Sequence, residues 1–196
     1  DNVGNKTYVV KGPYSVDGSG PVISINPMTT GWVNNEIDIS ISAVDKMSEL
    51  KELKYSLTAN DVRPEYDYAM GTTESTGALK VETDGIWYAH VEAEDDVGNI
   101  SYKLGGPYQL DRIKPVVTLT PDTATIVGEA ARTASVDVTI SVTDDRSGVH
   151  EVSLKKTYTP FTEEGFGASQ TTTTIISNYT AHSLTLAGMG RYTLEV

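Results

Sequence analysis

The sequence predicts an all-β protein made of two tandem antiparallel β-sandwiches. Three observations predict it: a long internal repeat, apolar residues that alternate with polar ones along short segments, and turn-forming residues spread evenly between those segments. The chain has 196 residues, which at roughly 100–150 residues per domain leaves room for one large domain or two small ones. Its 17 Gly and 8 Pro are scattered along it, and Thr, Val and Ile abound, a balance that favours strands over helices.

The repeat comes first. Asp1, Val3, Gly4, Asn5, Tyr8, Gly12, Pro13, Tyr14, Asp17, Pro21, Val22 and Pro27 all return 94 positions later without a gap. Ile37, Ile39, Ile41, Ala43 and Asp45 then match Val136, Val138, Ile140, Val142 and Asp144 at an offset of 99. The change of offset places a five-residue insertion within about 122–134. Apolar positions at every second residue predict strands near 21–26, 36–44, 51–58, 78–82, 86–94 and 99–104 in the first copy. In the second copy they predict 115–120, 135–143, 149–158, 170–177, 181–186 and 190–196. Trp87, Ala89, Val91 and Ala93 share one face, as do Tyr192, Leu194 and Val196. The triplet Gly-Pro-Tyr at 12–14 and 106–108 is expected to end a strand, because Pro donates nothing to a ladder. Trp32 and Trp87 are expected in the core.

Charge and composition exclude several classes of function. Lys+Arg is 15 against Asp+Glu 27, a formal net charge of −12. Nucleic acid is therefore excluded as a partner, since phosphate binding needs a basic surface. Cysteine is absent, which removes disulfides, thiolate metal sites and a cysteine nucleophile. His90, His150 and His182 lie far apart and form no local zinc motif. No apolar run approaches the ~20 residues of a membrane-spanning helix. Phosphate-loop, GxGxxG, GxSxG and HExxH motifs are missing, and the sequence is read as non-enzymatic.

Three groups of residues carry a family likeness. Pro21-Val22-Ile23 and Pro115-Val116-Val117 follow Asp-containing linkers. Ser42-Ala43-Val44-Asp45 matches Ser141-Val142-Thr143-Asp144-Asp145-Arg146-Ser147-Gly148-Val149. The run Val91-Glu92-Ala93-Glu94-Asp95-Asp96-Val97-Gly98-Asn99 completes the set. In these stretches the chain resembles bacterial immunoglobulin-like (Big-type) repeats of surface adhesins and secreted wall-associated proteins. The resemblance implies immunoglobulin-like sandwiches, an extracellular, cell-surface location and a structural, spacing role. It also sets the phase: residues 1–16 as the final strand of a preceding repeat or a donor strand, 17–110 as repeat one, and 111–196 as repeat two without its last strand. Neighbouring repeats are the expected partners, or neighbouring copies of the chain joined by strand addition. In the second case the chain is a filament subunit linked through residues 1–16. A ligand- or glycan-binding accessory module of a secreted enzyme is the remaining alternative.

In such a sandwich the linker and two turns meet at one pole. For repeat one they bring Asp17, Asp45, Asp95, Asp96 and Asn99, and for repeat two Asp111, Asp144 and Asp145. Clustered carboxylates suit Ca²⁺, which takes six to eight hard oxygens. Asp and Asn also cap turns by accepting backbone N–H bonds, with no ion at all. The cofactor is therefore none, or Ca²⁺. Lys46-Met47-Ser48-Glu49 departs from the family's Asp-x-Ser-Gly turn, and Lys46 would set a positive charge beside an ion there. Tyr66 and Tyr68, and Phe161 and Phe166, lie beside carboxylates. They can stack on a sugar or anchor a partner, or close a sandwich edge.

Overall fold

The alternating segments are strands in the computed structural model, which describes residues 2–65, 68–122, 126, 127, 130, 131, 135–177, 179 and 181–196. Every regular element among the described residues is a β-strand. None of them is a helix long and apolar enough to cross a membrane. The chain divides into two units, Asp1–Leu110 and Asp111–Val196.

In the first unit two sheets share one core. One sheet runs β1 (Val22–Asn26), β3 (Ile37–Val44), β6 (Thr76–Val81). The other runs β2 (Trp32–Val33), β8 (Ile100–Leu110), β7 (Gly85–Asp95), β4 (Leu50–Thr58), β5 (Met70–Thr72). All neighbours are antiparallel except β2 and β8. Period two decides which side chains meet: Ile23 and Ile25, Ile37 to Ala43 at every second position, Leu79 and Val81 point one way. They pack on Leu53, Tyr55, Ala89, Val91, Ala93, Tyr108 and Leu110 of the other sheet. β2 and β5 are too short to show alternation in the sequence.

The Gly-Pro-Tyr triplet does not end its strand. β8 continues to Leu110, and its register against β7 shifts between Trp87 and Ala89. That bulge absorbs Pro107, so that Trp87 pairs Tyr108 and Gly85 pairs Leu110. Gly106 makes it possible, with φ +109° and room for no Cβ, which would lie 2.8 Å from Trp87 O. Tyr108 then turns fully inward and donates its hydroxyl to Pro27 O at 2.8 Å. Burial pushes its phenol up to about 12. Trp32 and Trp87 are only half-buried, a departure from the sequence expectation. The Trp87 ring lies at the mouth of the core, with Nε1 donating to Thr83 O.

In the second unit β9 (Val116–Pro121), β12 (Ser135–Thr143) and β16 (His182–Ala187) form one sheet with β12 central. β13 (Glu151–Thr162) is the centre of another, between β15 (Gln170–Ser177) and β17 (Gly190–Glu195), with β14 (Gly165–Phe166) folded back on its end. A short hairpin joins β10 (Ile126–Val127) and β11 (Ala130–Ala131). The core is smaller: Ile140, Val142, Val152 and Leu154, with Leu184 and Leu194 only partly covered.

The pairings of the two units coincide. Val22 faces Val44, and 94 and 99 residues on Val116 faces Thr143. Ile37 faces Val81, and 99 and 105 residues on Val136 faces Leu186. Leu57 faces Ala89, and 99 and 105 residues on Lys156 faces Leu194. Residues 2–16, by contrast, carry no strand and are exposed throughout.

The bulge makes a direct prediction. Gly106→Ala forces a side chain to φ above +100° and against a backbone carbonyl, and should cost about 1–3 kcal/mol. Both tryptophans lie in the first unit, so urea unfolding followed by tryptophan fluorescence reads this loss there.

Candidate functional site

The carboxylates of the first unit converge where the inward-facing rows run out. Asp45 continues the row Ile37, Ile39, Ile41, Ala43, and Asp95 continues Ala89, Val91, Ala93. With Asp17 they bring three carboxylate oxygens within 4.8 Å of one another. Asp95 is fully buried, while Asp17 and Asp45 are half-buried.

Hydrogen-bond donors fill the space between them. Asp95 Oδ1 accepts from the N–H groups of Val97 (3.0 Å) and Asn99 (2.8 Å), and Oδ2 from Asn99 Nδ2 at 2.8 Å. Asp45 Oδ1 accepts from Met47 N and Ser48 N. Asp17 Oδ1 accepts from Ser19 N and Ser19 Oγ, and Oδ2 from Ser48 Oγ at 2.9 Å. Ser48 Oγ also lies 3.3 Å from Asp45 Oδ1 and so links two of the acids. Burial raises the Asp95 carboxyl, but the Asn99 side chain and backbone, Ser48 and Val97 outweigh it and hold the group below 3.8. The Ser19 backbone and hydroxyl, with Ser48, hold Asp17 below the usual range against burial and the Asp95 charge.

The structure thus joins Asp17, Asp45, Asp95 and Asn99 and leaves out Asp96. The Asp96 side chain is exposed, and its N–H donates to Glu49 O. Alternation explains the choice, since adjacent residues of a strand point to opposite faces. Lys46 is exposed as well.

Asp111 and Asp144 meet in the second unit through Ser147. Ser147 N donates to Asp111 Oδ2 at 3.0 Å, and Ser147 Oγ lies 3.3 Å from Asp144 Oδ1. Gly148 N and Arg146 N donate to the same Asp144 oxygen, and Ile113 N to Asp111 Oδ1. The Ser147 hydroxyl is the chief cause that holds the Asp111 carboxyl low. Asp145 is exposed and stands outside this arrangement.

The aromatic candidates separate. Tyr66 lies outside the described residues. Tyr68 is half-buried, and its hydroxyl donates to Glu92 Oε2 at 3.3 Å. Phe161 and Phe166 are exposed and pack edge to face at 5.1 Å across the β13–β14 turn. Arg191 covers one face of Phe166 at 4.8 Å.

A polar network on the outer face of β4, β7 and β8 was not foreseen from the sequence. His90 is fully buried there, between Thr58 Oγ1 and Asn60 O on one ring nitrogen and Tyr102 Oη on the other. Arg63 bonds Glu92 at 2.6 Å and lies 4.5 Å over the Tyr102 ring. The chain around Asn60 and Arg63 folds back over a face that alternation alone assigns to solvent. A groove of about 760 Å³ lies between the sheets, lined by Asn26, Pro27, Leu57, Met70 and Leu79 with Asp38 and Lys80 at its side. Lys80 is committed to Glu36 at 2.6 Å.

Neither the known protein-family models nor the curated proteins yield a match to this chain. The site's chemistry therefore rests on its geometry. The first cluster is a hydrogen-bonded hub that ties the linker at Asp17 to two strand ends. A hard cation could use the same three oxygens, at the expense of the Ser48 and Asn99 bonds.

Two measurements follow. Carboxyls held below 3.8 in the fold stabilise it above that pH and release that stability as pH falls through their folded values. The first unit should keep its stability from neutrality to about pH 5 and lose it steeply below pH 4. Asp95→Asn should be less stable at pH 7 and show a flatter acid limb, by tryptophan fluorescence. Thermal midpoints in millimolar Ca²⁺ and in excess chelator should coincide for a hydrogen-bonded hub. A rise of several degrees, lost in Asp17→Asn, would assign the cluster to Ca²⁺ instead.

Proposed function

We propose that the chain is a pair of immunoglobulin-like repeats of a bacterial cell-surface protein, and that its work is mechanical: to space and present other parts. The observation that carries this reading is the coincidence of strand registers between the two units. One sandwich plan, used twice, with the same offsets in paired strands, is the mark of a modular array. The first unit adds the strand order expected of such a module, with β1, β3 and β6 facing β8, β7, β4 and β5.

The polar chemistry supports the same reading. The acids at the pole hold turns and a linker, and Arg63, Glu92, His90 and Tyr102 hold a loop against a sheet. These are bracing roles. A net charge of −12 keeps such a stalk from collapsing onto other acidic polymers. Strands of eight or nine residues give each unit a length of roughly 30 Å along the strands.

Single-molecule stretching between the termini tests the reading. Two unfolding events are expected, each lengthening the chain by roughly 3.5 Å for every residue released. The first unit, with the larger core, should yield at the higher force. A chain that extends without distinct force peaks would overturn a load-bearing role.

A further inference from the structure

We propose that the outer edge of β15 pairs antiparallel with β15 of a second copy of this chain, joining two copies side by side through one continuous sheet. The inference goes beyond the spacer reading and does not rest on it, because pairing at a sheet edge needs no mechanical role.

β15 lies between β13 and β16 in the chain and is long and regular. Gln170–Ser177 pairs with β13 along its whole length, from Tyr158↔Gln170 to Glu151↔Ser177, without a register shift. Among the described residues no strand runs along its other side. That side therefore presents a row of backbone N–H and C=O groups to whatever strand can meet it. Its residues are Gln-Thr-Thr-Thr-Thr-Ile-Ile-Ser, all exposed except Ile176. There is no Gly, Pro or charged residue among them, and β-branched side chains fill the middle, a composition that suits strand pairing.

The first unit guards the matching edge. β5 pairs with β4 as β15 pairs with β13, and Leu53↔Thr72 corresponds to Val152↔Ile176. But β5 is only three residues long. Glu52 lies against it, with Oε1 3.1 Å from where a Cβ on Gly71 would be, and Lys54 pairs with Glu52 at 3.1 Å. Short length and charged side chains keep an edge from pairing. β15 has neither.

Charge selects the occupant. The chain carries −12, so two copies repel each other on the whole. None of residues 165–190 is Asp, Glu, Lys or Arg, and this is the longest such stretch in the chain. Across the ladder Thr173 faces Lys155, which is paired with Glu195 at 3.1 Å. Glu163 and Glu164 lie beyond the Gln170 end of the strand, and antiparallel pairing sends those of the two copies to opposite ends. Two copies can therefore meet along this edge without opposing like charges.

The strand is also its own complement. A two-fold axis normal to the sheet passes between one residue and the same residue of the other copy. At the middle of β15 that residue is Thr173 or Thr174. Ile175, 53% exposed, then faces Thr171 in the first register and Thr173 in the second. Cross-strand pairs of threonine and isoleucine favour a sheet. A two-fold contact of this kind closes at two copies.

One strand pair falls below the ~1,200 Å² of stable complexes, so the association is weak. Sedimentation equilibrium up to about 1 mM should show the mass rise from 21.1 kDa toward twice that value and no further. Thr173→Lys should hold the chain at 21.1 kDa with unchanged circular dichroism, because the side chain is exposed. An equimolar mixture of Thr173→Lys and Thr173→Glu should restore the pair. The chain has no cysteine, so introduced thiols read the register cleanly. Under mild oxidation Thr173→Cys or Thr174→Cys should give a disulfide-linked dimer, and Gln170→Cys should not. A mass fixed at 21.1 kDa over that range, a mass that climbs past two copies, a Thr173→Lys variant that pairs normally, or equal cross-linking at Gln170 and at the centre would each overturn the proposal.

Discussion

Ile25, Gly105 and Tyr108 meet where the two sheets of the first unit close on each other, and the rest of that unit is arranged around their contact. A Cβ on Gly105 would lie 2.6 Å from the Tyr108 hydroxyl and 3.1 Å from Ile25. The close approach lets β1 of one sheet lie against β8 of the other, and the Tyr108 hydroxyl bond to Pro27 O fixes it. It also explains the bulge: without the register shift at Trp87, Tyr108 would face out. Burying one aromatic side chain removes 150–250 Å² from water, so this single placement weighs heavily in a small core. The second unit keeps the pairings of β1 with β3, β3 with β6 and β4 with β7, as β9 with β12, β12 with β16 and β13 with β17, and has no counterpart of β8 among its described residues. Its apolar row on β9 is more exposed for that reason.

The longer strands were legible because period two is written directly in the residues, and β1, β3 and β6 show it as one wet and one dry face. The Gly-Pro-Tyr triplet was misread as a stop, because a missing N–H is a local fact and a bulge is a property of two strands. β2 and β5 were missed because two or three residues cannot show a period. Trp32 and Trp87 were placed in the core on size alone, whereas the structure sets them at its margin.

The acidic cluster was legible in part. The linker and both turns were found, yet Asp95 and Asp96 were treated alike. Parity tells them apart: Asp95 falls in step with Ala89, Val91 and Ala93, and Asp96 does not. The same rule sets Asp45 after Ala43 and Asp144 after Val142. Each carboxylate ends an apolar row and takes up the backbone donors that a turning chain leaves unpaired. The network around His90 had no such signal. Its burial depends on residues near Asn60 and Arg63 crossing over a sheet, and no periodicity records where a loop will lie.

The absence of cysteine has a consequence for behaviour under tension. No disulfide divides a unit into stretchable and locked parts, so none stops its whole length from being drawn out in one event. The bonds that hold it, ladder hydrogen bonds and buried side chains, form again when the sheets meet, with no partners to be mispaired. If the chain carries tension as proposed, it would act as a reversible damper, giving up length to a sudden pull and taking it back at rest.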